Sequence, residues 1–222
     1  MLRTAYVIAA LCAAGIVVYA TEARAQCSAR DAINASASKM PSVAARNAAV
    51  IQNVWKKVAL GEFTNSFAIR NALDAADCGV GDLAEEALAR PAFALAPSKI
   101  DVDLVAVSAA GLGLTTQYVS LKDIYERAEK LGLSLAPAEV GPALRLQYRD
   151  QPIGEFLHVG MKPIVTWRGD PVIFVVVNGG AGLILIGKNA RADAQMPATS
   201  TFLFVRPRQP QKVAAEDDSS DR

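Results

Sequence analysis

Histidine is almost missing from this chain: His158 stands alone in 222 residues. A zinc centre built on several imidazoles is thereby excluded, and any Ser-His-Asp arrangement has a single possible base. Cysteine is scarce as well, at Cys12, Cys27 and Cys78, with no C-x-x-C pair. Charge of one sign is lacking. Twenty-three Lys and Arg face 22 Asp and Glu, for a net charge of +1, and the basic residues are scattered. Nucleic acid is therefore not an expected partner, because counterion displacement needs a concentrated basic surface. Beyond the first 25 residues no apolar run is long enough to span a bilayer, so no transmembrane segment is expected in a processed chain.

What the N-terminus does have is an export signal. Arg3 supplies a positive start, Tyr6 to Ala20 is an unbroken apolar run, and Ala23-Arg24-Ala25 has the small-x-small form of a cleavage site. The apolar run falls short of the ~20 residues that a spanning helix needs, which favours cleavage over a retained anchor. Residues 1–25 are thus read as a signal peptide, cut after Ala25, and the protein as periplasmic or secreted. Cys12 would leave with the signal. Cys27 and Cys78, the two remaining thiols, would form one disulfide in an oxidising compartment. Closing that loop would contribute about 4 kcal/mol in the chain-entropy model.

Residues 26–97 read as an Ala-rich helical region. Val43, Val50, Ile51, Val54 and Val58 recur at helical spacing up to Gly61. A second helix starts near Thr64 or Asn65 and carries Phe67 and Leu73, and a third has Asp82 and Glu85 at capping-box spacing. Residues 98–119 read as a strand and a linker. The strand is Ile100 to Val107. Gly111-x-Gly113 follows, but Thr116 occupies the place of the third glycine of a dinucleotide fingerprint, so no cofactor is expected.

Residues 120–206 read as a helix followed by a sheet. Ser120 and Asp123 form the N-terminal cap, Leu121, Ile124, Tyr125, Ala128 and Leu131 make one apolar stripe, and Gly132 ends the helix. Leu144, Leu146 and Tyr148 alternate with Arg145, Gln147 and Arg149, the period of a strand. Pairing it with Glu155 to Met161 puts His158 on an outer polar face. Val172 to Val177 is apolar on both faces and reads as a covered central strand, turned at Asn178-Gly179-Gly180, and Thr201 to Val205 gives a last strand. Residues 207–222 have the composition of a disordered tail.

The expected fold is therefore α+β, with a helical N-terminal region followed by one helix packed on an antiparallel meander of about five strands. The run Glu139-Val140-Gly141-Pro142-x-Leu144-Arg145-Leu146-Gln147-Tyr148, with Asp150-Gln151-Pro152-x-Gly154-Glu155, resembles a segment shared by uncharacterised bacterial proteins. The resemblance brings no established fold, activity or site residue, and suggests that the helix-plus-sheet region is a unit in its own right.

Candidate chemistry is sparse. Arg145, Gln147, Arg149 and His158 would make a polar face able to hold an anionic or peptide ligand. Glu139 and Glu155 are acids beside turns that could run glycoside hydrolysis if suitably separated. Asp101 and Asp103 share a strand face, and without a third acid nearby they read as solvated; no metal is expected. Arg168-Gly169-Asp170-Pro171 is ordinary turn chemistry. These residues point first to a non-catalytic binding or interaction module for a protein, peptide or envelope ligand. The alternatives are a hydrolase of envelope polymers and a structural envelope component.

Overall fold

Six consecutive apolar residues, Val172 to Val177, leave a strand no polar side to turn to water. In the computed structural model of the chain, which describes residues 53–207, all six are buried at the centre of a sheet. In chain order the elements are β1 (Lys56–Leu60), α1 (Ser66–Ala75), β2 (Gly79–Val80), α2 (Asp82–Leu88), β3 (Ile100–Ser108), β4 (Tyr118–Ser120), α3 (Leu121–Lys130) and α4 (Val140–Gln147). There follow β5 (Glu155–Val159), β6 (Ile164–Val165), β7 (Pro171–Asn178), β8 (Leu183–Asn189), β9 (Gln195–Pro197) and β10 (Thr201–Val205). The main sheet runs β1-β3-β10-β5-β7-β8-β2, with β6 added beside β7, and it curls into a half-barrel. It is mixed, since β10 lies parallel to β5 and β2 parallel to β8, while the other neighbours are antiparallel. β4 and β9 form a separate two-stranded ribbon.

Register assigns the faces. Val107, Phe202, His158, Val175 and Ile186 are successive partners across five strands and so share one face. Leu157, Val176 and Leu185 share the other. On that second face lie α4, whose Gly141 sits so close to Phe174 that a Cβ there would be 2.8 Å from the Phe174 side chain, and α2, whose Leu83 fills the space over Gly187. Phe93 meets Phe174 edge-on at 6.0 Å from the same side. On the first face α3 packs Tyr125 edge-on against Phe204 at 6.0 Å, and the Tyr125 hydroxyl donates to Met161 O at 3.0 Å. Burying each valine of β7 is worth about 1.5 kcal/mol or more, so this doubly covered strand is a large part of what holds the sheet together.

The expected helical region followed by a five-strand antiparallel meander is overturned. Strands and helices interleave from Lys56 onward, and the sheet has eight strands of mixed direction. Two local readings fail with it. The end of the first expected helix is β1, in which buried Val58 and Leu60 alternate with Lys57 and Ala59 against β3. The stretch expected as a strand around Leu144 is α4, and β5 pairs instead with β7 and β10, so the hairpin register of Tyr148 with Leu157 does not exist. In α4 every residue from Val140 to Arg145 is buried, so its sequence shows no polar stripe at helical period. Asp82 is the first helical residue of α2 rather than its cap, which is Gly81.

Other expectations meet the structure directly. Asn65 caps α1 by accepting from Ala68 N at 2.9 Å, and Ser120 caps α3 through Asp123 N at 3.1 Å. The strand at β3, the buried β7, its hairpin partner β8 and the last strand β10 all stand where the patterning placed them. The signal segment, Cys27, residues 43–52 of the first expected helix and the tail from 208 lie outside the described residues. No described helix is long and apolar enough to cross a membrane.

Candidate functional site

The six residues singled out from sequence do not assemble into one site. Arg145, expected on an exposed strand, is fully buried at the end of α4. Its guanidinium donates to Gln151 Oε1, to Tyr148 O and to Val177 O, the last at 3.2 Å, while Nε finds no partner. Burial without a carboxylate presses its pKa below the usual guanidinium range. Gln151 passes the network on through Nε2 to Val176 O and Glu155 O, each at 3.1 Å. Glu155 lies at the start of β5, half-buried, with Oε2 unpartnered. Burial first, and Glu155 second, raise the Tyr148 phenol to about 12. This cluster fastens the loop after α4 to the middle of the sheet.

Gln147 does different work. Its side-chain amide accepts from Ala59 N at 3.0 Å and donates to Ala59 O at 2.8 Å, taking the place of a neighbouring strand on the outer edge of β1. Edge strands with free backbone groups invite intermolecular pairing, and this contact occupies one such pair. Glu139, immediately before α4, is fully buried. Its two oxygens accept from Gly61 N at 2.8 Å and Ala96 N at 2.6 Å, so one carboxylate ties two loops to the helix. Gly61 is in the left-handed region at φ 72°, and a Cβ there would fall 2.1 Å from Ser98 O, so only glycine brings this amide to Glu139.

Arg149 is exposed, with Nη1 2.5 Å from Ala76 O and 3.2 Å from the sulfur of Cys78. Cys78 is buried and forms no disulfide among the described residues, while its expected partner Cys27 lies outside them. His158, expected on an outer polar face, is 5% exposed. Its Nδ1 lies 3.2 Å from Thr201 O and therefore carries the proton, which leaves Nε2 to accept from Lys188 Nζ at 3.2 Å. Phe202 packs over the ring with centroids 5.0 Å apart. Burial and the Lys188 ammonium lower the imidazole to about 4, and burial lowers Lys188 as well. Asp103 pairs with Arg206 at 3.1 Å, and Arg168-Gly169-Asp170 closes a turn in which Thr166 N donates to Asp170 O at 2.9 Å. No group of three or more His, Cys, Asp or Glu among the described residues could hold a metal ion.

Polar side chains do converge on solvent elsewhere, in a groove of about 360 Å³ between α3 and the β4–β9 ribbon. Tyr118 and Gln195 line it from the ribbon, and Asp123, Glu126, Arg127 and Lys130 from the solvent side of α3. Tyr118 is 55% exposed although it is aromatic. The Ser120 cap turns the chain from β4 into α3 and holds Asp123, whose Oδ2 accepts from the Ser120 hydroxyl at 2.7 Å. Arg127 is fixed by Nε donating to Leu112 O at 2.8 Å. Glu126 lies between Lys122 at 3.8 Å and Lys130 at 3.9 Å. Glu126, Arg127 and Lys130 fall opposite the apolar stripe of α3 at helical period, and no local pattern announces the long-range pairing of Tyr118 with Pro197 that brings the ribbon alongside. A cavity of about 600 Å³ beside Gly61–Ser66 has one acid, Glu62, which pairs with Lys99 at 3.8 Å. Searches against protein-family models, curated proteins and solved structures find no match to this chain.

Proposed function

We propose that this is an exported, non-catalytic binding protein that contacts an envelope ligand through the groove between α3 and the β4–β9 ribbon. One observation carries the reading. His158 and Glu139, the base and the acid that a catalyst would draw on first, are turned inward to structural partners, whereas the polar groups along α3 are gathered around an open cavity. A general base has to reach a substrate proton. His158 faces Thr201 O and Lys188, and Glu139 faces two backbone amides. A hydrolase using Glu139 and Glu155 would have to free the first from both amides, and no cavity described above is lined by the two acids. Export rests on the N-terminal signal pattern, with Gln26 as the first residue after cleavage.

The experiment is co-sedimentation of the protein, isolated after export, with purified cell-envelope material, while release of soluble fragments is followed. The binding reading expects the protein in the pellet with no release. Fragment release that Glu155→Gln abolishes would establish the hydrolase instead. Protein left in the supernatant would overturn envelope binding, and N-terminal sequencing that begins at Met1 would overturn processing.

A further inference from the structure

The groove has a composition that selects among ligands. Its charged lining consists of two acids, Asp123 and Glu126, and two bases, Arg127 and Lys130, so it offers no net charge to a strongly anionic or cationic ligand. Its polar lining is mixed in hydrogen-bonding sense. Carboxylates only accept, Arg and Lys only donate, and Gln195, Thr116 and Ser120 do both. A phosphate or carboxylate ligand would need donors alone, and a hydrocarbon would need neither. Beside this polar set stands one aromatic ring left largely in water, where Tyr and Trp recur at surfaces that bind partners. The volume lies at the low end of ligand sites, room for a small ring rather than a folded partner.

A pyranose matches each of these features. Its hydroxyl groups each donate and accept, it carries no net charge, and the C–H bonds on one face of the ring form an apolar plane that can rest on an aromatic side chain. We propose that the groove between α3 and the ribbon binds one sugar ring of a neutral glycan. Tyr118 serves as the stacking platform, and Asp123, Glu126, Arg127 and Gln195 serve as hydroxyl partners. The inference rests on the binding reading given above and names the ligand class of the same site. Trp167 is the obvious competitor, being 69% exposed in the turn before β7. One side of its indole is taken by the Arg90 guanidinium at 3.8 Å, and it lines none of the cavities described.

Calorimetric titration of the exported protein with chitotriose, cellotriose and maltotriose tests it. Saturable binding of at least one trisaccharide is expected. Tyr118→Ala should weaken it about tenfold, the effect of losing roughly 1.4 kcal/mol of contact. Tyr118→Phe should retain it, because the ring remains, and Trp167→Ala should leave it unchanged. Binding of none of the three, or equal binding by Tyr118→Ala, would overturn the proposal. So would binding lost in Trp167→Ala but kept in Tyr118→Ala. If the protein pellets with envelope material yet takes up no trisaccharide, the sugar assignment falls and the binding reading stands; failure of both experiments removes both.

Discussion

Two polar clusters in this molecule are built from similar residues and serve opposite ends. At the close of α4, Arg145, Gln151, Tyr148 and Glu155 are gathered beneath the loop that enters β5, and the guanidinium bonds inward to backbone and side-chain oxygens. Along α3, Asp123, Glu126, Arg127, Lys130 and Gln195 are gathered around an open groove. A buried polar group must find partners inside the protein or cost several kcal/mol, so the first cluster is fixed by the fold's own needs. The second has water as its alternative partner and can exchange it for a ligand. Residue type alone therefore says little about function here, and the direction in which the polar atoms face says much more.

The largest effect is expected of Arg145→Ala. It would leave Tyr148 O, Val177 O and Gln151 Oε1 without their donor in a buried site, and stability should fall by about 3–5 kcal/mol in urea denaturation. A loss below about 1 kcal/mol would show the cluster to be wetter than its burial implies. Next in size is the pH dependence of His158. Its folded-state value of about 4 lies below the ordinary 6.5, so between those values the unfolded chain binds the extra proton. Its contribution of about 3 kcal/mol is complete above pH 6.5 and is lost as pH falls toward 4. His158→Asn should flatten the urea midpoint against pH in that window, and an unchanged slope would count against a neutral imidazole. Glu139→Gln, which puts an NH₂ against a backbone amide, should cost about 2 kcal/mol by the same measurement. Smallest is Tyr118→Ala, an exposed position, which should change stability by less than about 0.5 kcal/mol while it removes the ligand contact.

Local patterns were legible in the sequence, and long-range pairings were not. The Ser120 cap, the apolar stripe of α3, the six-residue apolar run of β7 and the Asn178-Gly179-Gly180 turn each act through neighbours in the chain, and all could be read. The parallel contact of β10 with β5 joins residues more than forty apart, and no local signal announces it. α4 misled because a helix buried on nearly every side loses its polar stripe. Arg145 alternates with Leu144 and Leu146 as a strand residue would, yet it is inside. β1 misled in the opposite sense, since Val54 and Val58 repeat at helical spacing while Val58 and Leu60 obey the strand period that the sheet imposes. The outward placement of His158 needs a register that α4 makes impossible, and Tyr118 carries no local signal because the ribbon that presents it forms by pairing residues 118–120 with the distant residues 195–197.

The most direct test of the division between inward and outward polar groups is to carry Glu139→Gln and Tyr118→Ala through urea denaturation and envelope co-sedimentation side by side. Glu139→Gln is expected to lower the urea midpoint and still pellet with the envelope, and Tyr118→Ala to keep the midpoint and stay in the supernatant. Glu139→Gln that remains folded but no longer pellets, with Tyr118→Ala binding as the parent does, would contradict that division.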